Sequence, residues 1–396
     1  MLTKAFIPYK GYYSTPFVKW QGSMSNDNAI VLGGETAKRW LAEKEWDPKM
    51  FDYIILGITV GQLHQFFGAT WAAAVMGAGG IAGVTLSQAC STGTTSIFQA
   101  SMGVETGLYN NCCVLMADRT SNSPHTIWPN PAGLGGTVES ENWMLDNFDA
   151  DPNVGLRMVE TAENVAKEVG ITKEQCDELS VRRYEQYTMS LEDDRAFQKR
   201  YMFPAEIKVS KKKTILVEED DGVRKRTREG LSALKPVIPG GTLSFGSQTH
   251  PADGNATVIV TTEDRAKALS ADPSLPIQVI EYGYAREKKG FMAAAPAPAA
   301  SMALENAGLK IDDIKVIKTH NPFIVNDLYF AQKLGVDPNG FNNYGCSMIF
   351  GHPQAPTAGR LIMEGIEETV MLGGGYFLWA GCAAGDTGAS LILKVG

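Results

Sequence analysis

"VTLSQACSTGTTSIFQA", residues 84–100, joins an apolar, strand-like start to a helix-like continuation, with Cys90 at the joint. The segment IAGVTL (81–86) reads as a short buried strand, and TSIFQASMGVE (95–105) reads as a helix. A helix start gathers unpaired N–H groups and the positive end of the helix dipole. Both features lower a thiol pKa and favour the nucleophilic thiolate. The same position also suits a small buried hydrophobe, which most isolated cysteines are. The rest of the chain decides between these readings.

Outward from Cys90 the strand–helix alternation continues. NAIVLGGETAKRWLAEKE (28–45) carries helix periodicity, with Ala37, Trp40 and Leu41 on an apolar stripe. FDYIILGIT (51–59) and NNCCVLMADRT (110–120) read as strands, and TWAAAVMG (70–77) as a helix. The pattern returns from about 255. ATVIVTT, PIQVIEYGY and IKVIKTH are strands there, PAASMALENAG and TAGRLIMEGIEETVMLGG are helices, and YFLWAG with ASLILKV forms a terminal strand pair. This order predicts a layered α/β fold of two halves.

The stretch between the halves differs. Residues 121–155 are rich in Pro, Gly and Asn and predict a long irregular excursion. Two amphipathic helices follow, the second opened by Thr172 and Gln175 in capping-box spacing. KVSKKKTILVEEDDGVRKRTR (208–228) reads as a solvated charged loop.

With 396 residues, 44% hydrophobic and 20% charged, the chain is long enough for two domains and a substantial core. A net charge of −8 argues against a general nucleic-acid binder. Six cysteines follow neither a disulfide framework nor a metal-ligand spacing, so no metal is expected. Without a signal-peptide core or a membrane-length apolar run, a cytoplasmic protein with no membrane partner is expected. GAGGIA (77–82) matches a dinucleotide fingerprint, but helix precedes it and strand follows, the reverse of what that motif needs.

Three further stretches place reactive side chains among small residues at element ends: THNPF (319–323), GHPQAPTAGR (351–360) and GCAAGDTGAS (381–390). Ligands and catalysis concentrate at strand ends in α/β proteins. Taken singly, His320 and His352 also suit structural roles, and Cys382 suits close packing. Together, a thiol at a helix start, two turn histidines and a second thiol describe acyl-transfer chemistry.

The order Cys90, H-N-P-F, G-H-P and C-x-x-G resembles the thiolase family. RMVETAENVAKEVGITKEQCDELSVRRYEQ, EGLSALKPVIPGGTLSFGSQTHPADGNATVIV and FMAAAPAPAASMALENAGLKIDDI extend the resemblance over nearly the whole chain. It implies a five-layered αβαβα fold from two similar halves, residues 1–270 and 271–396, with a loop domain inserted at about 119–245. It implies Cys90 as the acyl-accepting nucleophile, His352 as its base, and His320 with His352 polarising a thioester oxygen. Cys382 would move the α-carbon proton, and the N–H groups of Cys90 and Ala384 would hold an oxyanion. Acyl-CoA and coenzyme A would be substrates, with no bound cofactor, on a homodimer core.

Three departures from the family pattern stand out. His320 replaces the asparagine of the common Asn-Glu-Ala-Phe motif, as in ketosynthases and the archaeal type of thiolase. Ala384 replaces a usual glycine. Ser247-Gln248-Thr249-His250 replaces Asn-Ala-Ser-Gly, leaving Thr249 as the hydroxyl facing coenzyme A. Relatives with histidine at this position often work with a small zinc- or OB-fold partner. The chain is also similar to the thiolases of anaerobic aromatic degradation, those acting on benzoylsuccinyl-CoA. Trp128, Trp143, Met144 and Phe148 in loop 121–150 are expected to line a wide acyl pocket. A decarboxylating ketosynthase needs no base at Cys382, a cysteine hydrolase leaves two groups without a role, and a non-catalytic acyl or lipid carrier needs none of the four.

Overall fold

The computed structural model describes residues 1–396. The first sheet takes Tyr12–Ser14 (β1), Val18–Lys19 (β2), Tyr53–Gly57 (β3), Ala82–Leu86 (β4) and Asn111–Arg119 (β5). Two hairpins follow, His125–Pro129 with Val138–Asn142 (β6, β7) and Ala205–Ser210 with Lys213–Val217 (β8, β9). Ala252–Thr261 (β10) returns to the first sheet. Ile277–Arg286 (β11), Ile314–His320 (β12), Gly375–Ala383 (β13) and Thr387–Val395 (β14) form the second.

The first sheet runs β1-β10-β5-β3-β4, with β2 also on β10, and the second β11-β14-β13-β12. Parallel strands sit at its centre: all nine residues of β5 are buried, which its apolar run requires. Helices Ala29–Glu43 and Gly68–Met76 cover the outer face of the first sheet, and Pro296–Ala307 covers that of the second. Between the sheets lie Thr92–Glu105 and Ala355–Met371. These are the five layers expected of a thiolase. The helix from Ala355 is buried at every position through Thr369, because protein packs on all its sides. The two inner helices meet at their N-termini. A Cβ on Gly93 would stand 2.4 Å from the Ala355 carbonyl, so only glycine permits this approach.

Burying charged residues on an inner helix requires partners. Arg360 makes a bidentate pair with Asp220 at 2.6 and 2.8 Å and bonds Glu364 at 3.0 Å. Glu367 accepts from Lys10 at 2.5 Å and from Arg200 at 2.8 Å. Asp220 and Arg200 belong to the segment between β5 and β10, so these pairs pin that segment to the core.

Three expectations need correction. The strand read from IAGVTL is not buried, because β4 is the edge strand of its sheet, with Ala82, Val84 and Thr85 exposed. Residues 121–155 are not wholly irregular: they hold the β6–β7 hairpin and a short helix, Leu145–Asp149. The charged stretch from 208 begins as the β8–β9 hairpin, because Ile207, Ile215 and Val217 pack with Met24 and Leu32. The capping box at Thr172 and Gln175 forms as expected, with the Gln175 N–H donating to the threonine hydroxyl at 3.2 Å. No helix is long and apolar enough to cross a membrane.

Candidate active site

Cys90 lies in the turn between β4 and the inner helix Thr92–Glu105, and is 6% exposed. The turn is sharp: Ala89 adopts φ +44°, a conformation non-glycine residues rarely take. The Thr92 hydroxyl holds it, donating to the Ala89 carbonyl at 2.7 Å and accepting from the Gln88 N–H at 2.7 Å. His352 occupies the turn before the other inner helix. There Gly351 takes φ +94° and approaches Ala252 closely, which a side chain would prevent. The meeting of the helix N-termini therefore brings Cys90 and His352 together.

His320 ends β12, and Cys382 lies near the end of β13. The parallel register pairs His320 with Gly381, so the two reactive residues emerge side by side. The Cys90 sulfur and one ring nitrogen of each histidine lie within 4.8 Å of one another, and the two ring centroids are 4.2 Å apart. Each ring is oriented from behind. His352 Nδ1 meets the Thr357 hydroxyl at 2.6 Å, and His320 Nδ1 meets the Ser347 hydroxyl at 2.8 Å. Both Nε2 atoms are buried and unpartnered. The Ser347 hydroxyl also accepts from the Asn321 N–H at 3.2 Å and donates to Asn321 Oδ1 at 3.1 Å.

A cavity of about 620 Å³ opens onto this cluster. Cys90, His352, Gln354 and Ala384 form its reactive end, while His320 and Cys382 lie behind the wall. Thr249 also reaches the wall, but its hydroxyl donates to the Ser347 carbonyl at 2.6 Å, so only its oxygen lone pairs face a ligand. Asn326 Nδ2 contacts the Cys382 sulfur at 3.4 Å.

The N–H groups at the helix start do pull the Cys90 pKa down, as expected, but burial outweighs them. Burial pushes this thiol up to about 12, against the pull of the Ala384 and Cys90 N–H groups. Burial raises Cys382 well above the ordinary thiol range, and Cys90 beside it adds to the shift. Burial also lowers His352 to about 3 and holds His320 well below the usual imidazole range. The resting site is thus neutral throughout, with two protonated thiols and two neutral imidazoles. A thiolate forms only as its proton moves to an imidazole.

This has a measurable consequence for stability. The unfolded chain takes up a proton on His352 below its ordinary value of 6.5, whereas the folded chain refuses one until about 3. The contribution is complete above pH 6.5 and is lost as pH falls toward 3. His352→Asn should flatten the pH dependence of the unfolding free energy across this window by about 1.4 kcal/mol per pH unit. Denaturant titrations at several pH values check it, and parallel slopes for the two proteins contradict it.

Several site residues escaped the sequence reading. Gln354 follows His352 by two and accepts from the Cys90 thiol at 3.4 Å, in a strained backbone of φ +65° and ψ −111°. Its polar side chain within the quoted turn was the available signal. Asn326, Ser347 and Thr357 gave none, because they lie in ordinary helical contexts. Asp118, at the end of β5, accepts from the N–H groups of Thr59, Val60 and Ala355 at 2.7 to 2.9 Å. It locks the loop after β3 to the start of the His352-bearing inner helix. The expected aromatic lining is only partly present. Phe148 reaches the cavity wall, whereas the Trp143 indole bonds the Thr59 carbonyl at 3.1 Å and Trp128 sits on the exposed β6–β7 hairpin.

A buried thiol at a helix start, two imidazoles beside it and a second buried thiol are a set suited to acyl transfer through cysteine. Residues 11–264 match the thiolase N-terminal domain and residues 275–395 the thiolase C-terminal domain. The chain belongs to the thiolase family and is an acyltransferase. It is 26% identical over 394 residues to the acetyl-CoA acetyltransferase of Escherichia coli (strain K12), covering 96% of each chain. It is likewise 26% identical over 391 residues to the 3-ketoacyl-CoA thiolase of human mitochondria, covering 96% of each. Its fold matches the crystal structure of the Bacillus anthracis acetyl-CoA acetyltransferase with a TM-score of 0.90 at 23% identity, over 100% of this chain and 99% of that one. It matches human mitochondrial 3-ketoacyl-CoA thiolase in complex with CoA with a TM-score of 0.89 at 24% identity, over 99% and 98%.

Proposed function

We propose that this thiolase cleaves a 3-oxoacyl-CoA with coenzyme A, or runs the reverse Claisen condensation, through an acyl-Cys90 intermediate. The observation that carries the reading is the cluster of Cys90 and two unpartnered imidazole nitrogens at the end of a cavity that Cys90 and His352 line, with Cys382 buried behind its wall. His352 takes the Cys90 proton as the sulfur attacks the 3-oxo carbon. The N–H groups of Cys90 and Ala384 receive the oxyanion. The bond between the second and third carbons then breaks. His320 donates to the thioester oxygen of the departing enolate, and Cys382 delivers the α-carbon proton. Thr249 lies where it can accept a hydrogen bond from the pantetheine arm. Cys382, held by Asn326, favours thiolysis over decarboxylating condensation, which has no need of that base.

The cavity supports a degradative role on a bulky acyl group, an aromatic acylsuccinyl thioester such as benzoylsuccinyl-CoA among them. Its volume is about 620 Å³, and Phe148, Phe245 and Phe323 line it. The first sheet ends at β4, whose outer edge is unpaired and whose Val84 is 43% exposed. Such an edge favours antiparallel pairing with a second copy, and hence a homodimer. Ile127, Trp128 and Val138 on the exposed β6–β7 hairpin offer an apolar surface for a small zinc- or OB-fold partner.

Mass spectrometry of the Cys90 peptide after incubation with a panel of 3-oxoacyl-CoA thioesters tests the reaction. An acyl adduct on Cys90 is expected, and its absence with every thioester overturns the reading. Phe148→Ala should change the ranking of bulky against short substrates by about 1–3 kcal/mol in kcat/KM. An unchanged ranking removes this residue from the acyl pocket.

A further inference from the structure

We propose that Cys90, His320 and His352 also form a three-ligand site for a borderline divalent cation, zinc above all, whose binding silences the enzyme. The silencing rests on Cys90 being the nucleophile, whereas the binding rests on geometry alone. The sulfur and one nitrogen from each ring lie within 4.8 Å of one another. Both Nδ1 atoms are engaged by hydroxyls, which leaves the two Nε2 atoms as the free donors. Neither Nε2 has a hydrogen-bond partner, and the residues are 0% and 4% exposed. Two orphaned, deeply buried lone-pair donors facing a thiol are an arrangement a metal ion satisfies.

The donor set selects the ion. Magnesium and calcium require oxygen ligands, whereas one sulfur and two imidazoles suit zinc, cobalt and copper. Around one tetrahedral zinc, with bonds of about 2.0–2.3 Å, ligand atoms stand roughly 3.3–3.8 Å apart. Drawing the three side chains together from within 4.8 Å to that spacing is the adjustment that binding requires. The Thr357 and Ser347 hydroxyls already supply the outer hydrogen bonds that orient ligating histidines. The cavity provides the entry path and an open fourth position beside Gln354. On binding, each imidazole keeps its proton on Nδ1 toward its hydroxyl and offers the Nε2 lone pair, the Cys90 S–H bond breaks, its proton leaves to solvent, and a metal–sulfur bond forms. No electron changes hands, and a chelator reverses the step. The ligands lie far apart in the sequence, so no spacing motif reveals them.

Titration of the full-length, metal-free protein with Co²⁺ tests the site directly. One equivalent should produce a thiolate-to-cobalt charge-transfer band and the intense visible bands of a tetrahedral centre, both removed by Zn²⁺. Zinc should also protect Cys90 from iodoacetamide in the wild-type protein, read by peptide mass spectrometry. Cys90→Ser should lose the charge-transfer band, and His320→Asn should weaken zinc binding by more than about 100-fold. A wild-type protein without these bands, or bands surviving unchanged in His320→Asn, overturns the proposal. Failure of the metal-free wild type to form acyl-Cys90 would instead remove the catalytic reading and leave the metal site standing.

Discussion

Cys90→Ser is expected to lower thiolysis by at least about 10³-fold, which is about 4 kcal/mol in the barrier. The cause is the dry setting of the side chain. Burial holds even the thiol up to about 12, so in the proposed reaction the nucleophile is created only as His352 accepts its proton. A serine hydroxyl is far less acidic, and His352, held near 3, is a weak acceptor for so reluctant a donor. Neither the Ala384 N–H nor the helix start compensates, since both already act on the thiol without overcoming desolvation. Rapid-quench mass spectrometry beside steady-state thiolysis measures the effect. Near-normal turnover in the variant would place the covalent chemistry elsewhere.

Cys382→Ser separates the two halves of the reaction. This residue does not touch the acyl group in the first step, so the variant should still acylate Cys90 from a simple acyl-CoA. Carbon–carbon cleavage and formation should fall by about 10²–10⁴, the usual contribution of a positioned acid or base. Asn326 steadies the sulfur at 3.4 Å and should hold a serine oxygen in the same place, so lost acidity rather than lost geometry is what the comparison reads. Single-turnover acylation and steady-state cleavage, measured on one preparation, distinguish the steps. Loss of acylation with cleavage retained would reverse the roles of the two thiols.

The layered fold was legible because its evidence is local. The apolar run 112–117 within β5 reads as a strand buried on both faces, and the helical period before and after it sets the alternation. The four candidate residues that the structure gathers stood out because glycine, proline and small residues surround them at element ends. What escaped depends on long-range packing. The net shift of the Cys90 pKa was not legible, since the sequence shows the helix start but not the depth at which the thiol sits. Gln354 takes its place beside Cys90 through a strained backbone that no propensity predicts. Trp143 looked like pocket lining by composition, yet its indole bonds the Thr59 carbonyl instead. The β8–β9 hairpin hid beneath its lysines, because the apolar residues that seat it find partners near residues 24 and 32.

The ion pairs along the inner helix bear on how such a protein can change over time. Arg360 and Asp220 are both fully buried, and so is Glu364. Deleting one member strands its counterpart in a dry interior, at about 3–5 kcal/mol. The stretch carrying Asp220 and Arg200 is therefore no cassette to be transplanted between relatives for a new substrate range. It and the helix must be inherited together, and recombination is confined to the rim of the cavity, where Phe148 and Phe245 can vary without disturbing a charge.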